Sequence, residues 1–85
     1  MYLHLGQDTL VHTEEILGLF DLDTATLGKK TREFLATAEN SGRVVNVSTE
    51  LPKSFVVAGR PKESRVYISQ ISTATLKKRL EASAL

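Results

Sequence analysis

The chain has 85 residues, no cysteine, and 11 lysines and arginines against 10 aspartates and glutamates, for a net charge of +1. This composition excludes disulfide bonds, thiolate metal centres and the strongly basic balance that by itself indicates nucleic-acid binding. The length predicts one domain, residues 1–85, whose small core is marginal unless oligomerisation supplements it. No signal peptide is visible, and the longest apolar run, Phe55 to Ala58, is far too short for a membrane span, so a soluble cytoplasmic protein is expected.

The N-terminal part predicts three strands. Tyr2 to Leu5 alternates in polarity, and Thr9 to Val11 suits a short return strand. Ile16–Leu22 is apolar on both faces, which predicts a central strand covered on both sides, followed by a polar break at Asp23–Thr26. Gly18 within that strand is unfavourable unless another group approaches its backbone closely.

A helix follows the polar break. Gly28 is an acceptable N-cap, and Asn40–Gly42 provides the stop, with Gly42 suited to a left-handed C-terminal cap. The residues at helical spacing on one face are Thr31, Phe34, Leu35 and Ala38.

The C-terminal half predicts three more strands and a second helix. The strands are Arg43–Val47, Ser54–Ala58 and Arg65–Ser69, with a hairpin loop between the last two. Ser72 can cap a helix from Thr73 to about Ala82. The order βββ-α-βββ-α, with two helices, predicts an α+β domain on a mostly antiparallel sheet.

The sequence gives little support for a catalytic, cofactor or metal site. His4 and His12 have no third ligand at a suitable spacing, and no glycine-rich phosphate loop is present. No nucleophile, base and orienting group can be assembled, so no enzyme is predicted.

Charge is unevenly distributed along the chain. The acidic residues of the first quarter are Asp8, Glu14, Glu15, Asp21 and Asp23. Basic residues open the first helix and line the last, and a third basic group surrounds one hairpin and its entry turn. The members of this third group are Lys53, Arg60, Lys62 and Arg65. Each basic group has two interpretations, an ordinary solvated face or a surface for a polyanion.

Several segments together resemble a known family. They are MYLHLGQ, GLFDLDTATL, TREFL, GRVVNVSTELPKSFVV and VYISQISTATLKKR, which cover Met1 to about Arg79. They resemble the RemB members of the RemA/RemB family of bacterial extracellular-matrix (biofilm) regulators. The resemblance implies a small α+β fold and a ring-shaped homo-oligomer that binds promoter DNA and activates matrix genes. A ring repeats a modest basic patch, so near-neutral subunits can together engage many phosphates.

Two positions depart from RemA-type members. These members place an arginine-rich turn before the strand that corresponds to Phe55–Ala58, where this chain has Leu51 to Ser54 with a single lysine. They also carry an arginine before the strand that corresponds to Ile16–Leu22, where this chain has Glu14 and Glu15. Glutamates repel phosphates, so these departures weaken the case for DNA binding at that surface.

Two hypotheses follow. In the first, a ring presents Lys53, with Arg60, Lys62 and Arg65, to the DNA backbone, and the protein regulates transcription. In the second, a family oligomer has lost its DNA face and acts through a protein partner.

Overall fold

The structure is a computed structural model that describes residues 1–83, so the last two residues of the predicted domain lie outside it. The strands are β1 (Tyr2–Gly6), β2 (Thr9–His12), β3 (Ile16–Asp21), β4 (Val44–Asn46), β5 (Ser54–Ala58) and β6 (Arg65–Ser69). The helices are α1 (Leu22–Ala25), α2 (Lys29–Asn40) and α3 (Thr73–Ser83), and a single 3-10 turn spans Thr13–Glu15.

The strands form two sheets. β1 and β2 make an antiparallel hairpin, and the other four strands make a sheet of order β3-β5-β6-β4. In this sheet β5 is antiparallel to both of its neighbours, whereas β4 is parallel to β6. The α+β class and the mostly antiparallel pairing are confirmed, but the expected order differs from the structure, which has a second sheet and a third helix.

The four-stranded sheet is covered on both faces. On one face the hairpin and α3 pack against it around Leu3, Leu5, Val11, Val56 and Leu76. On the other face α2 packs around Ala38, Phe55, Val57 and Val66. Alternate residues of β5 enter the two cores, which explains why all five residues of this strand are buried.

The additional helix, α1, replaces part of the expected polar break. The Asp21 carboxylate accepts hydrogen bonds from the backbone N–H groups of Asp23 and Thr24, at 2.9 and 3.1 Å. This side-chain cap starts α1 at Leu22, so the preceding strand ends one residue earlier than predicted. The segment Asp23–Thr26 is therefore mostly helical rather than irregular.

The prediction of a central strand at Ile16–Leu22 is wrong. β3 lies at an edge of the sheet, and among the described strands it pairs with β5 alone. Ile16 and Leu19 pack against one core, but Leu17 and Phe20 remain exposed on the side of α2. The apolar residues on both faces of β3 thus indicate an incompletely covered edge strand.

The glycine in β3 has the close neighbour that the sequence requires. A Cβ on Gly18 would lie 2.6 Å from Cε2 of Phe20, because the phenyl ring folds back over the glycine. The same ring stacks on Phe55, with centroids 4.9 Å apart and planes 15° from parallel. A β-bulge between Ile16 and Gly18 interrupts the pairing at this point.

Helix termini follow the sequence closely. Gly28 is the N-cap of α2, and Gly42 adopts φ 70° just after its end. There Gly42 N–H bonds Glu39 O at 3.0 Å and Arg43 N–H bonds Ala38 O at 2.9 Å, which is the Schellman pattern. Ser72 Oγ accepts from Thr75 N–H at 3.3 Å and starts α3 as predicted.

Candidate nucleic-acid interface

Lys53 lies at the entry to β5, and its backbone is hydrogen-bonded on both sides. Its backbone N–H donates to Ser69 O at 2.9 Å, and its carbonyl accepts from Leu22 N–H at 3.0 Å. The next residue, Ser54, is fully buried, whereas the Lys53 side chain is exposed. The Lys53 backbone is therefore held on both sides by hydrogen bonds, while its side chain remains accessible to a ligand.

Two buried serine hydroxyl groups connect this turn to neighbouring segments through hydrogen bonds. Ser54 Oγ donates to Ile71 O at 2.7 Å. Ser69 Oγ donates to Leu5 O at 2.6 Å and accepts from Ile71 N–H at 3.0 Å. These bonds join β1, the start of β5 and the end of β6. Neither serine could be predicted from the sequence, since no local pattern distinguishes a buried serine from an exposed one.

The structure does not bring Lys53 together with the other predicted contacts. Ser54 pairs with Ser69 at one end of the β5–β6 ladder, and Ala58 pairs with Arg65 at the other. Arg60 and Lys62 lie in the loop beyond that second end. The five residues of β5 span about 17 Å, so each subunit presents two separate basic groups.

The start of α2 lies at the same end of the sheet as Lys53. The hydrogen bond from Leu22 to Lys53 places α1 there, and a short turn leads from α1 into α2. Arg32 Nη1 donates to the carbonyls of Thr26 and Leu27 in that turn, at 2.9 and 3.0 Å. The exposed Lys29 and Lys30 therefore share this end with Lys53, a grouping that the sequence analysis did not make.

The opposite end of the sheet carries mixed charge. Gly59 N–H donates to Glu15 O at 2.8 Å, so the acidic turn before β3 adjoins the β5–β6 hairpin. A polar pocket of about 230 Å³ there is lined by residues that include Glu15, Glu63, Arg65 and Tyr67. The glutamates offset the positive charge of Arg65 and its neighbours, and so weaken this end as a surface for phosphate.

An apolar groove of about 330 Å³ opens between β3 and α2. Its walls and floor include Leu17, Phe20, Lys30, Phe34, Phe55 and Val57. The sequence analysis placed Phe34 on the packed face of α2, but its side chain lines this open groove, since the edge strand leaves that part of the helix uncovered.

The histidines serve local contacts. His4 Nε2 lies 2.5 Å from Gln7 O, within the β1–β2 turn, and the His12 ring packs against Tyr2 with centroids 4.9 Å apart. Within residues 1–83, no three or more histidine, aspartate or glutamate side chains are grouped to hold a metal ion. In the same part of the chain, no helix is long and apolar enough to cross a membrane.

Comparison with known proteins agrees with the resemblance. A profile of the RemA-like family, described as extracellular matrix regulatory protein A-like, matches residues 2–80. The chain is also 38% identical over 81 residues to extracellular matrix regulatory protein B of Bacillus subtilis (strain 168), covering 95% of this chain and 91% of that protein. With nearly the whole fold matched, the chain belongs to the RemA-like family of extracellular matrix regulatory proteins.

Proposed function

We propose that the protein is a DNA-binding transcriptional regulator of extracellular-matrix (biofilm) genes. It acts in the cytoplasm as a ring-shaped homo-oligomer that contacts the DNA backbone. Family membership supports the regulatory role, since both the family and its relative from Bacillus subtilis are described as regulatory proteins. The observation that carries the DNA-binding part is the turn at Lys53, where a hydrogen-bonded backbone presents an exposed cation.

Lys53 contributes usefully to DNA affinity only when the oligomer repeats it. One lysine on a subunit of net charge +1 binds phosphate weakly, because an exposed charge is solvated and screened. A closed ring repeats the Lys53 end around its circumference, together with the exposed Lys29. Each added phosphate contact releases counterions, so affinity grows with the number of subunits that face the duplex.

The four predicted contacts form two bands in such a ring. One band contains Lys53, and the other contains Arg60, Lys62 and Arg65, at the far end of β5. None of these residues lies on a helix, and exposed cations on turns and at a strand end suit phosphate contact and DNA shape better than base reading. The Lys53 band is the stronger candidate because the family resemblance implies a DNA-binding turn there. Both bands have acidic neighbours, since Asp21 pairs with Ser54 beside Lys53 and Glu63 lines the pocket at the other end.

The acidic turn favours one alternative function. Because Glu15 adjoins the hairpin that bears Arg65, negative charge stands where phosphates would approach. A family oligomer with this surface would regulate matrix formation through a protein partner instead of DNA.

One experiment separates the two functions. The mass of the purified protein is measured by size-exclusion chromatography with light scattering, and the same sample is titrated onto matrix-gene promoter DNA over a salt series. Lys53→Glu should keep the oligomer mass and abolish DNA retardation. Lys78→Glu, an exposed lysine of α3 with the same change of charge, is the matched control and should retain binding.

The wild-type salt dependence completes the test. A slope of log K against log salt that corresponds to several phosphates, about 0.9 for each, supports backbone binding. Retardation by Lys53→Glu equal to that of the control would remove Lys53 from the interface. An intact oligomer that retains no DNA at low salt would overturn the proposal in favour of the alternative.

A further inference from the structure

Most of the exposed apolar surface lies in two patches. Among the described residues, eight large hydrophobic side chains are exposed, and six of them belong to these patches. The first is the groove between β3 and α2, with Leu17, Phe20 and Phe34. The second is the outer side of the β1–β2 hairpin with the preceding Met1, here called the hairpin face, whose exposed apolar residues are Met1, Tyr2 and Leu10.

The groove is open because the sheet ends at β3. Leu17, Phe20 and Phe34 are 51%, 40% and 36% exposed, although each lies beside the buried Phe55 and Val57. Within residues 1–83, no strand pairs with the outer side of β3. A concave apolar surface next to an unpaired edge strand is typical of a site that another chain covers.

The hairpin face lies on the other layer of the molecule. Tyr2 pairs with His12 across the hairpin, and His4 pairs with Leu10, so these four side chains share its outer side. Tyr2 and Leu10 are 62% and 58% exposed, while the alternate residues of β1 and β2 enter the core on the opposite side. The hairpin packs on one face of the four-stranded sheet and the groove opens on the other.

This arrangement favours a head-to-tail contact between copies of the chain. A two-fold contact that buries one patch against itself leaves the other patch exposed, whereas a head-to-tail contact covers both in every subunit. Charge is complementary too. Lys30 lines the groove, and the exposed Asp8 lies in the turn at the tip of the hairpin.

We propose that the hairpin face of one subunit docks into the groove of the next, and that this heterologous contact builds the oligomer. The inference rests on the proposed ring, because a head-to-tail contact closes into a ring when its rotation is a whole fraction of a turn without a rise along the axis. The occupant of the groove is thus a second copy of this chain.

A complementation experiment tests the contact. Leu17→Asp places a charge in the groove and Leu10→Asp places one on the hairpin face, both at exposed positions. Each variant alone should elute as a folded monomer, with the circular dichroism of the wild type. When mixed, the intact hairpin face of one variant should fill the intact groove of the other and give a 1:1 dimer by light scattering. Leu51→Asp, at an exposed leucine outside both patches, should keep the wild-type mass.

If either aspartate variant fails to fold, a pair of substitutions that exchanges the two complementary charges tests the same contact. Lys30→Asp and Asp8→Lys should each lower the oligomer fraction on dilution, and the double variant should restore it. Variants that keep the wild-type mass, a mixture that stays monomeric, or a double variant no better than either single one would overturn this contact. The ring itself would survive that result, whereas a monomeric wild type would remove both the ring and this inference.

Discussion

Ser69 shows how much of this fold depends on single buried hydroxyl groups. The side chain is fully buried, and its oxygen both donates to Leu5 O and accepts from Ile71 N–H. It therefore joins the hairpin layer to the end of β6, whose Ser69 carbonyl also holds the backbone of Lys53. A serine at a strand end in the sequence gives no sign of this, because its partners are 64 residues and two residues away along the chain.

Removing this hydroxyl should destabilise the protein. Ser69→Ala leaves Leu5 O and Ile71 N–H without their partner, and an unsatisfied buried polar group costs about 1–3 kcal/mol. Urea unfolding should show a loss in that range, whereas Ser41→Ala, at the exposed C-cap of α2, should change the free energy of unfolding little. Equal stability of Ser69→Ala and the wild type would mean that water replaces the hydroxyl.

At the scale of secondary structure elements, the C-terminal cap of α2 gives a second stability prediction. Gly42 adopts φ 70°, and a Cβ there would meet nothing within 4 Å, so the cost of alanine comes from the backbone alone. Gly42→Ala should lower the free energy of unfolding by about 1–2 kcal/mol. Gly42→Asn should lose less, because asparagine tolerates the left-handed region. Chemical denaturation of both variants measures the difference, and equal losses would contradict this explanation.

The elements that the sequence predicts best are those with local signals. Gly28, Gly42 and Ser72 act through hydrogen bonds within a few residues, and all three termini lie where expected. The position of β3 at the sheet edge depends instead on strand order, which arises from long-range pairing. An apolar strand at an edge and one at the centre have the same composition, so the exposure of Phe20 could not be predicted.

At the scale of the whole molecule, residues close in sequence are separated by a strand. Lys53 and Arg60 are only seven positions apart in the sequence, yet β5 holds them at opposite ends of the sheet. Conversely, α1 brings Lys29 and Lys30 to the end that carries Lys53. The residue pattern predicted the strand that follows Lys53, and β5 confirms it, but the grouping of the basic residues depended on the topology.

For the whole molecule, the proposed oligomer implies that apparent stability depends on protein concentration. If docking covers the groove and the hairpin face, association stabilises the folded state by mass action. Apparent stability then rises by up to about 1.4 kcal/mol per subunit for each tenfold increase in protein concentration. Thermal denaturation over a dilution series should show a wild-type midpoint that climbs with concentration. The midpoint of Leu10→Asp should stay constant, since that variant lacks one side of the contact. A constant wild-type midpoint would mean that the edge of β3 faces water in the native protein and that no second copy covers Leu17 and Phe20.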